Sequence, residues 1–195
     1  MIRKYLVGVW FVFLVFSACA PKEKDGFVAE IASIKGDLNK DGLSDLVVVK
    51  QDTLSKSKPY RLQIFFAQPD GTNKLIVSTE TAIAAENPDE MDGSGFEKIT
   101  VKNNVLTIHN GMLRGTFSHV FRYQHGSFEL IGFSKHISDG QGTIYSTDFN
   151  LSTGVRYEQG QRYDTDKIVF DKTEKKMIRP LPALQDFTPL GNDDY

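Results

Sequence analysis

The stretch TFSHVFRYQHGSFELIGFS, Thr116 to Ser134, decides how this chain folds. Phe117, His119, Phe121 and Tyr123 recur at every second position, which is the period of an extended strand and not of a helix. His125-Gly126 then interrupts the pattern, and both residue types accept the backbone angles of a tight hairpin turn. SFELIGFS follows as a second strand, so the segment reads as an antiparallel hairpin.

The same grammar extends in both directions. In YRLQIFFA, Tyr60, Leu62, Ile64 and Phe66 share one face, while Arg61 and Gln63 take the other. Tyr145 and Phe149 line one face of GTIYSTDFN. Asn103-Asn104 parts FEKITVK from VLTIHN, and both asparagines tolerate the positive φ of a type I′ turn. Ser152-Thr153-Gly154 and Lys172–Lys175 read as further turns. No stretch carries an apolar stripe at helical spacing. Thr81 to Glu86 has the composition for one or two helical turns before Pro88 stops them. Prolines 59, 69, 88 and 180 fall between predicted strands or at their ends. The tail from Pro180, PLPALQDFTPL, reads as extended. The expectation is an all-β fold: about ten short strands in a single antiparallel sandwich or barrel over residues 27–195.

The first residues follow other rules. Arg3 and Lys4 precede an unbroken apolar run from Tyr5 to Phe16, too short to span a bilayer but suited to a signal peptide. Ser17-Ala18-Cys19 closes the run, and Cys19 is the chain's single cysteine. Small residues before a lone cysteine resemble the lipobox of bacterial lipoproteins. The resemblance implies a signal peptide over 1–18, acylation of Cys19 and a charged tether over 19–26. Ala20 resembles the signal that sends such proteins to the outer membrane. With one cysteine, no internal disulfide can form. Net charge is −2, and removing Arg3 and Lys4 makes it two units more negative. A mildly acidic chain without a basic stripe excludes nucleic acid as a natural partner.

Ahead of the hairpins stands GDLNKDGLSDLVVV, Gly36 to Val49. Counted from Asp37, oxygen-bearing side chains fall at positions 1, 3, 5 and 9, namely Asp37, Asn39, Asp41 and Asp45, with Gly42 at 6. Leu43, at 7, offers a backbone carbonyl. A hard cation such as Ca²⁺ needs such a set of oxygens, wound around a glycine that takes the sharp turn. Three carboxylates about 6 Å apart in water repel by roughly 0.7 kcal/mol per pair, which a bound cation removes. An EF-hand would need Glu at position 12, where Val48 stands, and flanking helices. D-x-N-x-D-G-x-x-D running into a strand instead resembles the calcium loop of FG-GAP repeats, as in integrin α propellers and bacterial surface proteins. That likeness covers residues 27–50 and implies a structural Ca²⁺; unlike a propeller, the chain holds the motif once. The order of this loop, then GFEKITVKNNVLTI, then FRYQHGSFELIGFS, resembles envelope lipoproteins of Gram-negative bacteria.

Other candidates are weaker. Asp89, Glu90 and Asp92 form a second acidic stretch that reads as solvated surface. Ser94 lacks the glycine two positions earlier that a nucleophile elbow needs. Glu129 and Asp148 could be a glycosidase pair on charge alone. His109, His119, His125 and His136 lack zinc-ligand spacing. Phe65 and Phe133, opposite the main apolar faces of their strands, are expected to surface as a binding patch. No catalytic residue is assigned, and the chain is expected not to be an enzyme. The expectation is a calcium-stabilised binding or scaffold module of an envelope lipoprotein, membrane-held through Cys19, with a protein or glycan ligand. Two alternatives stay open: a periplasmic protein that blocks a toxin or lytic enzyme, and an envelope hydrolase.

Overall fold

The structure, a computed structural model, describes residues 25–85, 95–191 and 193–195. Cys19, the tether up to Lys24 and the acidic stretch Asp89–Asp92 lie outside the described residues. The fold is all-β, in two antiparallel sheets. Sheet A runs β1 (Phe27–Gly36), β2 (Asp45–Asp52), β3 (Tyr60–Ala67) and β4 (Asn73–Thr79), each beside the next. Sheet B continues as β5 (Gly95–Lys102), β6 (Val105–Met112), β7 (Gly115–Gln124) and β8 (Ser127–Ser138). It closes with β9 (Thr143–Asn150), β10 (Val155–Arg162) and β11 (Ile168–Lys175), again in chain order. Every connection within a sheet is thus a hairpin. Asn103 and Asn104 sit at φ 52 and 60, and His125 and Gly126 at φ 52 and 83, as type I′ chemistry requires.

The alternating faces meet in one core. Tyr60, Leu62, Ile64 and Phe66 of β3 point at Leu106, Ile108, Phe117, Phe121, Phe128 and Leu130 of sheet B. Rings cross the gap: Phe66 meets Tyr123 edge-on at 4.9 Å, and Tyr60 tilts against Phe96 at 5.6 Å. Two expectations fail here. Thr81–Ala85 forms no helix; its bends bury Ala82 and Ile83 against the core instead. Lys172–Lys175 is not a turn but the second half of β11; the chain reverses at 163–167, where Asp166 takes φ 56. Among the described residues no helix is long and apolar enough to cross a membrane.

The tail does more than extend. Pro182 O accepts from Leu130 N at 2.8 Å, Ala183 bridges to Glu129, and Leu184–Asp186 makes one 3-10 turn. Gln185 Nε2 then donates to Ser78 O at 2.8 Å, and Thr81 Oγ1 to Phe187 O at 2.8 Å. The segment therefore runs from sheet B to sheet A. It drives Leu184, 0% exposed, and Phe187, 3% exposed, into the core between them.

Sheet B is wider than sheet A, and the mismatch decides what is exposed. Of β9 only Thr143 and Phe149 are buried, and of β10 only Gly160. No residue of β11 is buried. Strands β9–β11 overhang.

Candidate functional site

The aspartate loop is wound from its own side chains. Asp37 accepts Lys40 N at 2.6 Å and Gly42 N at 3.1 Å. Asn39 Oδ1 accepts Asp41 N at 3.0 Å, and Asp41 Oδ1 accepts Leu43 N at 2.8 Å. Gly42 takes φ 83, where a side chain would be strained. These are the local turns that Asp and Asn make with backbone a few residues on, two to five here. They leave Asn39 and Asp41 in contact, Asn39 Nδ2 donating to Asp41 Oδ2 at 2.8 Å. Two anchors hold the loop down. Leu38 is 1% exposed in the core, and Asn104, from the β5–β6 turn, donates to Asp37 O at 2.7 Å.

Asp45 stands apart from the other three. It is 0% exposed, and its two oxygens accept Leu38 N at 2.8 Å and Ala67 N at 3.0 Å. The carboxylate that spacing offers as the ninth-position ligand thus ties the loop's start to the end of β3. Among the described residues no three acidic, histidine or cysteine side chains converge closely enough to hold a metal ion. Asp37, Asn39 and Asp41 fit a hard cation in type and order; Asp45 differs in being fully buried, with each oxygen accepting one backbone amide.

Phe65 and Phe133 do not form a patch. Phe65 is half-buried on the outer face of β3, as expected, but Phe133 is 6% exposed on the other sheet. The cause is a register shift opposite Val120–Phe121, which gives β8 one extra residue, Ile131. One extra residue reverses which face every later side chain takes, so Phe133 turns inward and stacks on His119 at 5.1 Å.

His119, paired with Ile108, and Asn110, paired with Phe117, are the core's polar anomaly. They are 1% and 0% exposed, on the inward faces of β7 and β6. Among the described residues neither His119 nitrogen, nor the Asn110 amide oxygen or nitrogen, has a hydrogen-bond partner. Rings surround the imidazole: Phe187 edge-on at 4.7 Å, Phe117 edge-on at 5.6 Å, and Phe133 stacked. Burial disfavours its charged form and takes its pKa down to about 3.

An open concavity lies where sheet B overhangs. A cleft of about 430 Å³ has Phe133 and Ile137 of β8 and Tyr145 of β9 on its apolar side. Lys135, Arg156 and Glu158 supply charge, and the tail closes it with Leu190, Asp193 and Tyr195. Arg156 is held rigidly: it forks onto Glu158 Oε1 at 2.7 and 3.1 Å and donates to Asp194 O at 2.7 Å. Apolar floor and fixed charge suit recognition of an extended, amphipathic segment. Sequence alone misses this cleft, because nothing in GTIYSTDFN tells that no strand of sheet A covers Tyr145. A second concavity of about 430 Å³ groups Arg122, His125, Glu129 and Arg179. Glu129 there takes Gln124 Nε2 at 2.6 Å and lies 3.3 Å from His125 Nδ1. Asp148 pairs with Ser134, five residues along β8 from Glu129. At the strand rise this is roughly 15 Å, beyond any glycosidase carboxylate pair.

Comparison with known proteins adds no constraint: no family model matches the chain, nor does any curated protein or solved structure.

Proposed function

We propose that this chain is a non-enzymatic binding or scaffold module of a bacterial envelope lipoprotein. Lipid on Cys19 holds it to the outer membrane, and the overhanging face of sheet B receives a protein or glycan ligand. The observation that carries the reading is the overhang itself. A sheet face bearing Tyr145, 43% exposed, and Phe170, 42% exposed, beside fixed ion pairs is surface that a solitary fold would gain by covering. Lipidation rests on the apolar run and the single cysteine. The test is capture from envelope extract on immobilised protein. Binding should be lost with Tyr145→Glu, which alters the cleft, and kept with Phe65→Glu, which lies on the other sheet. Equal capture by both variants overturns the assignment of the face. Intact mass of the membrane-extracted protein tests the anchor: a chain beginning at Ala20 or later without acyl mass removes it.

The loop joins this reading as a structural calcium site formed by Asp37, Asn39, Asp41 and the Leu43 carbonyl. The turns that wind alternate side chains together favour it. Asp45 remains with the backbone and fixes where β2 begins.

A further inference from the structure

Among the described residues four strand edges bound the two sheets, and three of them are guarded. β1 is broken by two register shifts, and at its end Val101 of β5 fills the space beside Gly36. β5 is therefore guarded by β1, and it carries a shift of its own. β4 is interrupted once, and Gln185 of the tail caps its far end. Register shifts and covering segments are the usual protections against edge-to-edge pairing. β11 differs. After one shift beside Gly160–Gln161, it runs straight from Phe170 to Lys175. Among the described residues nothing pairs with its outer side.

Charge on an edge normally guards it too, but the order of charges here has a particular property. Asp171-Lys172-Thr173-Glu174-Lys175 is complementary in charge to its own reverse. Laid antiparallel on a second copy with Thr173 opposite Thr173, the segment sets Lys172 against Glu174 and Asp171 against Lys175, each twice. No like charges face each other. Neighbouring registers are worse. Centring on Lys172 opposes two lysines, and centring between Lys172 and Thr173 opposes Asp171 with Glu174. Centring between Asp171 and Lys172 pairs those two but sets Val169 against Glu174 and Ile168 against Lys175.

We propose that two copies of this chain join edge to edge through β11, antiparallel about a two-fold axis at Thr173. The two seven-stranded sheets then become one. Lys172 and Glu174 lie on the face that carries Glu158 and Arg156, their partners on β10, and Asp171 and Lys175 on the other. Both faces are therefore matched in charge, and the two clefts come to lie on one continuous surface. Continued past the strand, the same register sets Val169, 49% exposed, against Met177, 53% exposed.

The test uses the membrane-extracted protein in detergent, with mass read by analytical ultracentrifugation. The wild type should sediment as a dimer. Lys172→Glu alone and Glu174→Lys alone each create two like-charge oppositions and should weaken the dimer at least about tenfold. Mixed, the two variants are complementary and should form a heterodimer as tight as the wild-type pair. Thermal melts matching the wild type establish that each variant is folded. A wild type that stays monomeric overturns the proposal. So do single variants that dimerise normally, or a mixture that fails to recover.

Discussion

Phe121 and Phe170 stand on the same face of the same sheet, and only one of them belongs to a core. Phe121 is 0% exposed, facing sheet A, while Phe170 is 42% exposed, four strands farther along. Phe117 and Tyr145 repeat the contrast at 2% and 43%. Strand periodicity assigns a face; it does not decide whether anything lies across from that face. Where sheet A stops, the same alternation of side chains passes from buried core to exposed surface. The difference separates the residues that stabilise this protein from those that only face solvent.

That separation can be broken by substitution. Phe121→Ala, at a fully buried site, should cost about 3–5 kcal/mol in urea unfolding. Phe170→Ala should cost under about 0.5 kcal/mol, as exposed positions do. Similar costs for both would mean that the overhang is covered in solution by more than its edges.

Asp45→Ala comes next. It strands the Leu38 and Ala67 N–H groups in the interior, at a cost of about 3 kcal/mol whether or not calcium is present. A loss that appears only with calcium would return Asp45 to the cation.

His119 sharpens the comparison through pH. The unfolded chain takes up a proton on this imidazole near pH 6.5, whereas the folded chain resists until about 3. The unfolded state therefore binds more protons throughout that window, and stability falls as pH falls through it, by about 2 kcal/mol at pH 5. His119→Phe, which leaves no buried imidazole to charge, should flatten that slope. An unchanged slope between pH 6.5 and 5 would assign the acid sensitivity elsewhere.

The smallest effect belongs to the loop. With about 1 mM free Ca²⁺ and a dissociation constant near 10⁻⁴ M, binding adds about 1.4 kcal/mol, or roughly 2–4 °C in melting temperature. Asp41→Ala should abolish the increment. Identical melts with calcium and with chelator leave the loop as a turn wound only by its own hydrogen bonds.

Much of the fold was legible because alternation and turn chemistry agree. Asn103-Asn104 and His125-Gly126 could hardly be anything but hairpin turns, and the inward rows of β3 and β7 follow from spacing. What escaped was non-local. Lys172–Lys175 looks like a turn because an edge strand exposed on both faces has no apolar alternation to display. Phe133 was assigned outward because the extra residue at Ile131 is visible only against β7. The loop's oxygen spacing was legible, but spacing cannot tell that Asp45 is buried and holds two core amides while Asp37 and Asp41 stay at the surface. Asn110 and His119 gave no signal, since each sits in an ordinary alternating strand.

The tail that crosses between the sheets also sets an order of events. Its contacts join Ser78 to Gln185 and Thr81 to Phe187, 107 and 106 positions apart. Hairpins close in microseconds from neighbouring residues, whereas contacts across such separations come late. A chain emerging from its amino end can therefore form both sheets while Phe187 is still absent. During that interval the rings of His119 and Phe121 lack a packing partner, and apolar surface is open to other molecules. The tail works as a latch, and the vulnerable stage of maturation lasts until it closes.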